Sequence, residues 1–73
     1  MILLTRLNHS EFALNPDLIE RIHASPDTTI VMVDGSKYIV LETVKETMDL
    51  VRGYRASVLS LASALLTTQN SEN

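Results

Sequence analysis

The chain of 73 residues reads as a mainly β member of the α+β class: about five short antiparallel strands, closed as a small barrel or left as an open sheet, then one long carboxy-terminal helix. Three observations predict this. Thr28 to Leu41 (TTIVMVDGSKYIVL) sets two apolar runs around Asp34-Gly35-Ser36, so β-branched and aromatic side chains flank a glycine able to take positive φ, which is the pattern of a hairpin. Past Leu41 the apolar period lengthens from two residues to about 3.6. The change is marked by Thr43-Val44-Lys45-Glu46, which has the form of a capping box, and no proline follows it.

Taken in order, Ile2 to Leu7 (ILLTRL) reads as a first strand and Asn8-His9-Ser10 as a turn, because asparagine tolerates left-handed backbone and serine can bond back to the chain. Glu11 to Leu14 follows as a second strand, with Phe12 and Leu14 on one face and Glu11 on the other. Asn15-Pro16-Asp17 stops it, since proline cannot donate to a ladder. Between Asp17 and Ala24 the spacing fits either a helix or a strand; the favoured reading is one helical turn at Asp17 and Leu18 leading into a short strand. Ser25-Pro26-Asp27-Thr28 is a tight turn that delivers the chain into the hairpin.

Within that hairpin Ile30 and Met32 face one way and Val31 and Val33 the other, so both faces of the ribbon are expected to need cover. Residues 1–42 are thus the β part, 43–67 a helix of the same domain, and 68–73 a disordered polar tail. Gly53 is the one weak helix former in the first half of the helix and costs roughly 1 kcal/mol relative to alanine. The helix is expected to survive it.

Size and composition narrow the function. A domain this small buries about 60% of the surface its unfolded chain exposes, and such chains commonly draw further stability from a disulfide, a metal, or a partner. With no cysteine in the sequence, disulfides and thiolate metal sites are excluded, and a partner becomes the favoured remedy. Net charge is −3, and the six basic residues, Arg6, Arg21, Lys37, Lys45, Arg52 and Arg55, are spread along the chain. That balance argues against gripping a phosphate backbone. MILLTR lacks the basic lead and long apolar region of an export signal. The weakly polar stretch Ala56 to Leu66 is interrupted by three serines and is far shorter than the ~20 residues a membrane-spanning helix needs. A cytoplasmic, soluble protein is expected.

The chemistry-bearing residues are sparse. His9 and His23 are the two histidines, and no HxH or HExxH spacing places them on one face with a carboxylate. Gly35 and Gly53 are the two glycines, so no glycine-rich phosphate loop exists. No serine or threonine sits in a nucleophile elbow. Neither catalysis nor a cofactor nor a metal is expected.

The helix points elsewhere. Val44, Met48, Val51, Arg55, Val58, Ala62 and Leu65 fall on alternating four- and three-residue steps, a heptad seam interrupted by one charge. Leu50, Tyr54, Leu59, Leu61 and Leu66 lie beside or opposite it, making the apolar surface wider than one small sheet can cover. Met48, Val51, Tyr54, Arg55, Val58, Leu61, Ala62 and Leu65 are therefore the expected surface for self-association or a partner, with packing of Met48, Tyr54, Val58 and Leu61 to Leu66 inside the chain's own core as the other reading. Arg55 is read as packing its stem while its charged end reaches water. If a second copy buries it, Asp49 or Glu46 of that copy is the expected counter-charge.

The segments LTRLN (Leu4 to Asn8), EFALNPDLIERI (Glu11 to Ile22) and PDTTIVMVDGSKYIVLETVKE (Pro26 to Glu46) resemble the FlbD family of small bacterial flagellar proteins, also called swarming motility protein SwrD. The resemblance covers about the first two thirds of the chain and fades beyond Gly53. Where the family usually has Asn-Gly at the first turn this chain has Asn8-His9, which predicts a differently shaped turn. The resemblance implies a non-enzymatic, cytoplasmic accessory to motility, at the flagellar base and in contact with a motor component. It brings no catalytic residue. A looser likeness links Asp17 to Val51 with the strand–turn–hairpin–helix grammar of LytTR-type DNA-binding domains, making a nucleic-acid-binding regulator the alternative.

Overall fold

The computed structural model describes the backbone of residues 1–71 and the side chains of residues 1–62. Strands β1 (Ile2–Thr5) and β2 (Glu11–Leu14) pair antiparallel, and β3 (Ile19–Ala24), β4 (Thr28–Met32) and β5 (Lys37–Val40) form a second antiparallel sheet with β4 central. Helix α1 runs Val44–Ser71. The two sheets do not close into a barrel. They meet at one corner, where Arg6 bridges Val40 and the Leu41 amide donates to the Thr5 carbonyl at 2.8 Å. Within the second sheet, the Val33 amide donates to the Leu18 carbonyl at 2.8 Å and continues the β3–β4 pairing by one residue.

Alternation sets the inward faces. Ile2 and Leu4 of β1 and Leu14 of β2 meet Ile30, Met32 and Val40 of the second sheet in one core, with Phe12, Ile19, Ile22, Tyr38, Val51 and Tyr54 packed around it. Phe12 also joins the sheets directly: its ring centroid lies 5.4 Å from that of Tyr38, and the Arg6 guanidinium sits 4.3 Å over its face. Between β2 and β3, Asn15 caps a single 3-10 turn, Pro16–Leu18, by accepting the Asp17 amide at 3.0 Å. The favoured reading of that ambiguous stretch is the one observed.

Some edges differ from expectation. β1 ends at Thr5 rather than Leu7 because Arg6 and Leu7 enter the turn, where the His9 amide donates to the Arg6 carbonyl at 2.9 Å. His9 has φ 69°, so it takes the left-handed backbone that a glycine would supply, and the turn has the same hydrogen bonds as the one at Gly35. Val33 has also left its strand. It is 61% exposed in the turn between β4 and β5, so on its side of the ribbon Val31 is buried, facing Arg21 and Lys37 across the strands. The demand for cover on the ribbon's second face is smaller than the sequence suggested.

At the helix start the Glu46 amide donates to the Thr43 hydroxyl at 3.0 Å and the Thr43 amide to the Glu46 carboxylate at 2.9 Å, the reciprocal pair of a capping box. The far end runs to Ser71, past the expected end at 67. No glycine or proline follows Gly53 to stop it.

Candidate functional site

Helix α1 contacts β1 of one sheet and β3 of the other, so it spans the junction between them. The residue it buries completely is Thr47, 0% exposed. Its hydroxyl is satisfied by the Thr43 carbonyl at 2.9 Å, and Val44, Val51 and Tyr54 are half-buried beside it. These four positions form a stripe at spacings of three and four residues. Thr47 is the residue that the apolar pattern missed. Its signal was positional, since it shares a face with Val44, Val51 and Tyr54.

The expected interface residues accordingly separate. Val51 and Tyr54 pack against the core. Met48 is 41% exposed, and Arg55, Val58, Leu61 and Ala62 are exposed. Leu65 lies outside the described side chains. Beyond Tyr54 the helix leaves the sheets behind, consistent with principal extents of 54 × 23 × 18 Å for so short a chain. Val58 and Leu61 are 49% and 63% exposed there.

Two open grooves flank the packed part of the helix. The groove between β1 and α1, about 900 Å³, is lined by Met1, Leu3, Leu50 and Tyr54 and edged by Glu42, Glu46 and Asp49. The other, about 380 Å³ between β3 and α1, is lined by Ile19, Ile22, Met48 and Val51 and edged by Glu20, Arg21, Arg52 and Arg55. Apolar floors with charged rims suit protein contact better than small-molecule chemistry.

The charges at these rims are partly engaged already. Asp49 pairs with Lys45 and Arg52, both at 3.1 Å, and Arg21 with Glu20 at 3.5 Å. Such exposed pairs contribute only a few tenths of a kcal/mol each, roughly 0.3–0.5. Glu42 is tied more specifically: its two carboxylate oxygens accept the Thr5 amide at 2.9 Å and the Thr5 hydroxyl at 2.8 Å. Burial pushes the Glu42 carboxyl up, but the two Thr5 bonds outweigh it and hold the group below its ordinary value of 4.5.

Among the described residues no three His, Asp or Glu side chains gather where they could hold a metal ion. His9 and His23 are both exposed, one in a turn and one on β3. No helix among the described residues is long and apolar enough to cross a membrane. Arg21, Arg52 and Arg55 share the edge of the groove beside β3, but Arg21 and Arg52 are each held by a carboxylate, and the nucleic-acid alternative gains no support.

A family model, FlbD, described as flagellar and swarming motility proteins, matches residues 1–59. The chain belongs to the FlbD family. The match takes in every strand, the capping box and both grooves, and it extends past Gly53, where the sequence likeness had faded. FlbD membership makes this a flagellar and swarming motility protein by family. No curated protein and no solved structure matches the chain significantly.

Proposed function

We propose that this FlbD chain supports flagellar motility as a non-enzymatic interaction component, self-associating through its helix and acting in the cytoplasm at the flagellar base, in contact with a motor component. One observation carries the reading. The helix continues past the sheets with Val58, Leu59 and Leu61 exposed, and between Arg55 and Glu72 the sequence contains no charged residue. An isolated solvated helix is expected to bear charge on its outer faces, and one that bears none there while exposing a cluster of large aliphatic side chains calls for a partner.

Light scattering at micromolar concentration tests the association. A species larger than the monomer is expected, and Val58→Asp or Leu61→Asp should shrink it without unfolding the β part. A monomer with an ordered helix would remove the proposal. Capture from motile cells, with the Val58→Asp variant as control, identifies the motor component, and recovery of no flagellar protein counts against that contact.

A further inference from the structure

We infer that the projecting half of α1 packs antiparallel against the helix of a second copy, each free half lying along the other copy's groove between β1 and α1. The inference rests on the self-association proposed above and specifies its geometry. Leu50, Tyr54 and Leu61 follow one another at spacings of four and seven residues, so they share a stripe that leads out of the groove along the projecting helix. Leu50 and Tyr54 line the groove, and Leu61 is the exposed continuation. The groove and the helix end are therefore two halves of one apolar surface.

Charge decides the direction. Every charged residue of α1 within residues 44–71 lies between Lys45 and Arg55, while 56–71 has none. A parallel pair joined through this face would bring Glu46 and Asp49 of one copy against the same carboxylates of the other, which is unfavourable in a partly desolvated contact. An antiparallel pair sets each carboxylate rim beside a neutral helix end, and like charges do not meet. It also opposes the two helix dipoles.

The lengths agree. The uncharged half spans about 24 Å at 1.5 Å per residue, enough to cover the groove from Ser57 to Glu46. The midpoint of Val44–Ser71 falls between Ser57 and Val58, which places the two-fold axis of an isologous pair at that point.

Cross-linking tests this directly, because the natural sequence has no cysteine and each introduced thiol is unique. Ser57→Cys at the axis is expected to give a disulfide-linked dimer on mild oxidation. Leu50→Cys alone is expected to give none, since the two copies of residue 50 would stand roughly 22 Å apart along the axis. Mixing Leu50→Cys with a copy carrying Leu65→Cys should restore a linked product.

A dimer in which Leu50→Cys links to its own copy, or in which Ser57→Cys does not link, overturns the antiparallel geometry and leaves self-association standing. A monomer by light scattering overturns both. Ser57 and Leu50 are exposed, so these substitutions leave the core intact, and circular dichroism of each variant verifies the helix.

Discussion

His9 and Gly35 occupy the same position in two loops of one geometry. In the first, the His9 amide donates to the Arg6 carbonyl at 2.9 Å and the Arg6 amide to the Ser10 carbonyl at 2.8 Å; in the second, Gly35 donates to Met32 at 3.0 Å and Met32 to Ser36 at 2.8 Å. The preceding side chain accepts the following serine amide in both, Asn8 from Ser10 at 3.0 Å and Asp34 from Ser36 at 2.9 Å. Positive φ, 69° at His9 and 91° at Gly35, completes the three-residue hairpin loop with a bulge.

His9→Gly is therefore expected to stabilise the fold. Left-handed backbone disfavours a β-carbon by about 1–2 kcal/mol, partly offset by the unfolded-state freedom of glycine. A net gain of about 0.5–1 kcal/mol, seen as a Tm rise of about 2–8 °C, is the expected result of thermal unfolding. Gly35→Ala should move Tm down by a comparable amount. A β-carbon there meets nothing within 4 Å, so the loss isolates backbone strain.

The Glu42 clasp on Thr5 predicts a pH dependence. Because the folded carboxyl lies below its ordinary value of 4.5, its contribution is fully present above that value and is lost as pH falls through the folded one. Glu42→Ala should cost about 1–2 kcal/mol at neutral pH, at the lower end for a charged hydrogen bond because the group is partly exposed. Urea titrations should show the gap from the natural protein narrowing in acid. An undiminished gap at pH 3 would assign the loss to packing rather than charge.

Thr43→Ala removes the helix cap and should cost about 1 kcal/mol. Thr47→Val should be nearly neutral, since the Thr43 carbonyl keeps the Thr47 amide as donor at 2.9 Å and the buried position accepts the same shape without a hydroxyl to satisfy. Urea midpoints that reverse this order would contradict the assigned roles.

Leu4→Ala attacks the core, where Leu4 is fully buried among Ile2, Leu14 and Ile30. A loss of about 2–5 kcal/mol is expected, a large share of the stability available to a domain of this size. Amide exchange across both sheets should then accelerate together. Acceleration confined to β1 and β2 would mean that the two sheets do not share one cooperative core.

Local chemistry was legible in the linear chain. The turn at Gly35, the Asn15 stop, the Thr43–Glu46 cap and the change of period past Leu41 each depend on neighbours a few residues apart, so their signals lie within reach of a short window. Glu42 and Thr5 could not be paired that way, being 37 positions apart. Nor could the buried helix face be chosen. The apolar count favoured Met48 and Val58, whereas the packed face of the helix took in Thr47, which is fully buried and whose hydroxyl has a local acceptor in the Thr43 carbonyl.

By itself, then, the order of residues determined which segments are strands, where the helix begins, that its last half carries no charge, and the family likeness. The tertiary structure alone decided that the strands divide into two sheets, that α1 bridges them, and that a groove opens between β1 and α1 as far as Ser57. Periodicity and capping are properties of sequence neighbours, but the location of a surface depends on which distant elements come together to bury the other side.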